Sequence, residues 1–123
     1  MNSQKTIIFM GTTEFAIPSL KKIIANNYNV LTVITSNDKP AGRGLKLKES
    51  PIKQFAKTNG LKILQPNNLK DQDFINLIRN FKPDLIVVVA FRMLPEILWK
   101  IPKYGTINVH ASLLPEYRGA API

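Results

Sequence analysis

Apolar runs of strand length recur along this chain, and between them the apolar residues switch to helical spacing. Lys5-Thr6-Ile7-Ile8-Phe9-Met10-Gly11 is a continuous apolar run closed by glycine, and Asp84-Leu85-Ile86-Val87-Val88-Val89-Ala90 is more apolar still. Such runs suit strands buried on both faces, as in a parallel sheet. Further strands are expected at Asn29–Thr35, Lys62–Gln65 and Thr106–His110. Between them, Phe15, Ile17, Leu20, Ile23 and Ile24 predict a helix over 13–27, with Thr12 or Thr13 as N-cap. Shorter helices are expected at 51–59, ended by Gly60, at 71–80, and near 95–100. Residues 37–49 show no period and hold Pro40, Gly42 and Gly44, so they read as a loop.

Strands alternating with helices imply βαβ units, whose crossovers are right-handed. The expected fold is therefore α/β, a doubly wound, Rossmann-like parallel sheet with helices on both faces. Ligands of such sheets bind beyond the carboxyl ends of the strands. Gly11, Ala90 to Pro95, and His110 onward are then expected to open toward one cleft. Gly11-Thr12-Thr13 lacks the G-x-G-x-x-G spacing, which argues against a dinucleotide. Residues 1–123 read as one domain that stops at Ile123, where a doubly wound sheet ordinarily continues, so the domain is expected to be incomplete.

The chain has no cysteine, which excludes disulfides and thiolate metal sites, and no metal is expected. No apolar run approaches the roughly 18 residues of a membrane span, and no cleavage site follows the first run; a cytoplasmic protein is expected. Seventeen basic residues against eight acidic ones give a net charge of +9, a field that attracts polyanions. A lysine-filled surface without function explains the total equally well, so position has to decide. From Lys39 to Lys48 the loop carries Lys39, Arg43, Lys46 and Lys48 and no acid. Glycines flanking Arg43 let the backbone approach a partner closely, and such cations suit phosphates. An ordinary solvated basic loop is the competing reading.

Along Thr106–His110 side chains alternate, so Asn108 and His110 share one face at the carboxyl end of a strand. His110 is the only histidine. An imidazole relays protons near neutrality, and an amide donates to a developing oxyanion without titrating. On these two residues alone, a strand-end pair that satisfies local backbone groups is the favoured reading. Trp99 sits at helical spacing with Leu94 and Leu98 and reads as packing.

The surrounding sequence changes the balance. The run Ile107-Asn108-Val109-His110-Ala111-Ser112-Leu113-Leu114-Pro115, continued by Tyr117-Arg118-Gly119-Ala120-Ala121-Pro122-Ile123, resembles the signature of the folate-dependent formyltransferases. The Asn-x-His core and Ser-Leu-Leu-Pro are similar across branches acting on purine precursors, amino-sugar nucleotides and formyltetrahydrofolate itself. The Arg-Gly-Ala-Ala-Pro-Ile ending resembles the methionyl-tRNA formyltransferase branch, as does Pro40-Ala41-Gly42-Arg43-Gly44. Ile8-Phe9-Met10-Gly11-Thr12 and Phe91-Arg92-Met93-Leu94-Pro95 are similar to the family's opening turn and pterin-side loop.

The resemblance implies 10-formyltetrahydrofolate as cosubstrate, initiator methionyl-tRNA as partner, and a monomer. It assigns Asn108 to the formyl oxygen and His110 to polarisation or proton relay. Met93, Leu94 and Pro95, with Ser112, Leu113, Leu114 and Pro115, would bind the folate; Lys39, Arg43, Lys46 and Lys48 would meet tRNA. The family pairs its histidine with a downstream aspartate and adds a C-terminal β-barrel domain, neither of which lies within 1–123. On that ground the isolated chain is expected to transfer formyl groups negligibly. A small amine as acceptor, and an inactive remnant that retains only folate or RNA binding, are the alternatives.

Overall fold

The computed structural model describes residues 4–42, 44 and 46–109. Five parallel strands form one sheet in the order β5-β2-β1-β6-β7, from β1 (Thr6–Gly11), β2 (Asn29–Ile34), β5 (Ile63–Leu64), β6 (Leu85–Val89) and β7 (Thr106–Val109). The chain winds outward from β1 through β2 to β5, then returns to place β6 on the other side of β1. The expected doubly wound topology is therefore present, with its switch point between β1 and β6.

The central position of β1 explains its composition. Ile7 and Phe9 enter one core with Leu20, Val33, Ile52, Ala56, Val87 and Val89, beneath α1 (Ile17–Ala25) and α2 (Pro51–Thr58). Ile8 and Met10 enter the other with Ile34, Ile75, Ile78, Ile86, Val88 and Leu98, beneath α3 (Gln72–Phe81) and α4 (Glu96–Trp99). Phe9, Ile8 and Met10 are wholly buried, and each such side chain contributes roughly 1.5–3 kcal/mol. No described helix is long and apolar enough to cross a membrane.

Local chemistry sets the helix boundaries. Ser50 Oγ accepts from Lys53 N at 3.0 Å and caps α2, with Pro51 at the first helical position. Asp71 caps α3 through Phe74 N at 3.1 Å. The first helix differs from the expected 13–27. It opens as a single 3-10 turn over Glu14–Ala16, and Thr13 makes no side-chain cap bond. Thr12 Oγ1 instead pairs with Ser36 Oγ at 2.9 Å, tying the ends of β1 and β2 together.

The expected loop at 37–49 is also corrected. It contains an antiparallel hairpin, β3 (Lys39–Ala41) with β4 (Lys46–Lys48). Strands of three residues leave no period to detect, which is why the sequence pattern showed only turn residues.

At the amino-terminal edge of the sheet, Asp84 accepts from Thr6 N at 2.8 Å and Thr6 Oγ1 at 3.2 Å, while Asp84 N donates to Thr6 O at 3.0 Å. This exchange fixes where β6 begins beside β1. The Thr6 backbone N–H, more than any other group, holds the Asp84 carboxyl below the ordinary carboxylate range.

Candidate active site and basic hairpin

Gly11 ends β1 where a side chain has no room. A Cβ there would stand 2.9 Å from Ala16 Cβ and 3.1 Å from the Phe9 ring. The glycine thus lets the 3-10 turn close over the sheet at the carboxyl end of β1.

Beside it, β6 is followed by Ala90 at φ +50°, a left-handed conformation that costs a non-glycine residue of order 1–3 kcal/mol. Ala90 N donates to Val109 O at 3.0 Å, so the strained residue also joins the ends of β6 and β7. The turn sends 91–95 out over the carboxyl edge of the sheet. There Phe91, Met93 and Leu94 wall a cavity of about 500 Å³ together with Trp99, Thr106 and Asn108.

Asn108 is exposed in this cavity, and its amide makes no hydrogen bond to another described residue. The register Val88↔Asn108 puts it on the face of the sheet that carries α3 and α4. Met93 is 93% exposed, an apolar side chain at the mouth without packing. Pro95 lines an adjoining cavity with Met93, Leu94 and Asn67. The loop is braced by Arg92, which donates to Pro66 O at 3.0 Å and Asn67 O at 3.2 Å and lies 4.8 Å from the Phe91 ring centre.

Trp99 departs from the packing role expected of it. It is 44% exposed and faces the cavity, because a four-residue helix buries only one side chain, Leu98. Thr106 Oγ1 donates to Trp99 O at 2.8 Å and fixes α4 against β7. The brevity of the 95–100 segment was the signal that this indole is not core. Ala90 lines the cavity as expected of the segment after β6, whereas Thr106 gave no signal of its own. His110 and the segment Ser112, Leu113, Leu114 and Pro115 lie outside the described residues, as does Arg43.

The hairpin is the second feature. Its register pairs Lys39 with Lys48 and Ala41 with Lys46, so Lys39, Lys46 and Lys48 share one face, with Pro40 and Leu47 on the other. All three lysines are exposed. Like charges directly across a ladder destabilise it, a cost that an anionic partner removes. At the root, Asp38 accepts from Gln65 Nε2 at 2.9 Å and from Lys53 Nζ at 2.9 and 3.0 Å. Gln65 and then Lys53 hold its carboxyl below the ordinary range, and Asp38 raises Lys53 in turn.

With this geometry in hand, comparison with known proteins is decisive. A family model described as formyl transferase matches residues 4–123. This chain belongs to the formyl transferase family. It is similar to methionyl-tRNA formyltransferase of Bacteroides thetaiotaomicron, 56% identical over 95% of this chain and 36% of the relative. The enzymes so named from Flavobacterium johnsoniae and Clostridioides difficile are 58% and 54% identical, again over 95% of this chain and 37% and 38% of theirs. The chain thus spans a little over a third of the length of the curated relatives it matches. For a formyl transferase, the arrangement at the carboxyl edge offers an apolar slot with an exposed amide beside it.

Proposed function

We propose that this protein transfers the formyl group of 10-formyltetrahydrofolate to the α-amino group of initiator methionyl-tRNA, in the cytoplasm. The observation that carries the reading is Asn108, whose amide stands on the wall of an apolar cavity at the carboxyl edge of the sheet and bonds no other described residue. Phe91, Met93 and Leu94 suit a flat heteroaromatic ring, which apolar walls with few polar groups bind well. Pro95, Ser112, Leu113, Leu114 and Pro115 complete the folate-binding set.

In the reaction the amine lone pair attacks the formyl carbon, and the formyl oxygen gains negative charge. The Asn108 amide donates to that oxygen, and the neighbouring His110 moves a proton from the attacking amine toward the departing N10. The C–N10 bond breaks and tetrahydrofolate leaves. Lys39, Arg43, Lys46 and Lys48 meet the phosphates of the tRNA. The hairpin's three-lysine face favours a polyanionic acceptor over a small amine, which has no phosphate backbone to engage.

Trp99 makes the test simple, because it is the only tryptophan and it lines the cavity. Titration with 5-formyltetrahydrofolate is expected to change its emission saturably. Residues 1–123 alone are expected to transfer negligibly, so formyl transfer to initiator methionyl-tRNA is then assayed with wild type and His110→Ala joined to the remaining length of the Bacteroides thetaiotaomicron relative. Saturable binding together with transfer abolished by His110→Ala supports the reading. Emission indifferent to the folate sinks it, as does transfer that His110→Ala leaves intact.

A further inference from the structure

The root of the lysine hairpin is closed by one side chain. Asp38, just before β3, and Glu49, just after β4, both approach the ammonium of Lys53, at 2.9 Å and 3.5 Å. Lys57 holds Glu49 from the other side at 2.8 Å. One step inward, Thr35 Oγ1 and Ser50 Oγ meet at 2.7 Å in a buried contact that ties the end of β2 to the start of α2. The hairpin is therefore clasped twice, by a hydroxyl pair and by an ion cluster outside it.

Lys53 occupies the first turn of α2, where the helix dipole disfavours a cation. Its side chain is only 17% exposed, and those of Asp38 and Glu49 are 23% and 28% exposed. Two-stranded ribbons this short have little of their own to fix their direction. Their direction comes from the root. Asp38 and Glu49 also put two negative charges at the foot of a basic surface, which weakens long-range attraction for a polyanion. That sacrifice makes sense if their task is shape.

We propose that Lys53 is a positioning residue for the polyanionic substrate: by clasping Asp38 and Glu49 it sets the direction in which Lys39, Lys46 and Lys48 present their shared face, without touching the substrate itself. The inference rests on reading that face as the tRNA-binding surface.

The two effects of the acids have opposite signs, and this makes the proposal testable. Equilibrium binding of initiator methionyl-tRNA is measured at fixed salt for wild type, Asp38→Asn, Glu49→Gln, Lys53→Met, Lys53→Arg and Lys46→Ala. Folate titration of Trp99 serves as the folding and cleft control. If charge alone matters, Asp38→Asn and Glu49→Gln tighten tRNA binding. The clasp predicts the reverse: each weakens it roughly threefold to fivefold, the scale of a partly exposed ion pair. Lys53→Met does the same, Lys53→Arg restores most of the affinity, and the folate titration does not move. Tighter binding by Asp38→Asn overturns the proposal, as does a loss in Lys53→Met that neither acid variant shares, since Lys53 would then contact phosphate directly. If Lys46→Ala leaves affinity unchanged, the reading of the hairpin itself has failed.

Discussion

Around the cleft, groups are held by covalent continuity with buried strands. Asn108 and Ala90 sit one residue from core positions, Val109 and Val89, and inherit their rigidity. Around the hairpin, the lysines stand on two three-residue strands, and the orientation comes from ion pairs near the surface. The difference follows from what each region is proposed to bind. A formyl oxygen must be met within a few tenths of an ångström for donation to stabilise the transition state. Phosphates are engaged over a broad field, so a surface clasp that sets direction suffices. Among the described residues of the two regions, strain is stored at Ala90 in the first and like charge between Lys39 and Lys48 in the second.

The contrast is tested most strongly at Asn108. Asn108→Ala removes one donor to the developing oxyanion and is expected to lower the rate of formyl transfer, measured with the joined protein, about 10²–10³-fold. The side chain is exposed, so the melting temperature should stay within a degree or two, roughly the scatter of surface substitutions. A rate within tenfold of wild type, with folate binding intact, would remove Asn108 from the chemistry. Next in size is Gly11→Ala. Its Cβ meets Ala16 and Phe9 at distances that force movement, and overpacking of this kind costs about 1–3 kcal/mol in denaturant unfolding. The hairpin has no equivalent position: a Cβ on Gly42 or Gly44 meets nothing within 4 Å. Only their positive φ resists substitution. Equal destabilisation at Gly11 and Gly42 would erase the distinction between a packed and a projecting region.

The same contrast explains what could be read from the chain alone. β1 and β6 were legible because burial on both faces forces unbroken apolar runs, and α3 because Phe74, Ile75 and Ile78 repeat at helical spacing. The doubly wound order then followed from chirality and alternation. The hairpin was not legible, since Lys-Pro-Ala and Lys-Leu-Lys carry no strand period and their pairing depends on residues outside them. Asn108 was legible as a strand-end amide and the opening of Ala90 to Pro95 onto a cleft followed from the doubly wound fold, whereas the shape of that cavity did not. That cavity exists because Ala90 turns left-handed and because α4 is too short to bury Trp99, and both are tertiary outcomes. The clasp was invisible for a different reason: Asp38, Glu49 and Lys53 look like ordinary surface charges until α2 is folded back over the hairpin root.

The smallest expected effect separates the two regions by acid. Asp84 and Asp38 both have carboxyls held below their ordinary range, Asp84 foremost by the Thr6 N–H and Asp38 foremost by Gln65. A depressed folded value means that each contributes stability above its unfolded value, lost as pH falls below about 4 and through the folded value. The consequences should still differ. Asp84 joins the starts of β1 and β6 at the centre of the sheet, with Lys5 and Lys103 nearby. Its protonation therefore loosens the whole fold. Asp38 joins a projecting hairpin to α2, so its protonation frees that hairpin and leaves the sheet standing. Melting temperature followed between pH 5 and pH 2.5 should accordingly fall less steeply in Asp84→Asn than in wild type, while Asp38→Asn keeps the wild-type slope. In the same range the amide resonances of Lys46–Lys48 should shift with acid in wild type and not in Asp38→Asn. If Asp38→Asn flattens the melting profile as much as Asp84→Asn, the hairpin is part of the global folding unit, and its clasp holds the fold together as well as aiming the lysines.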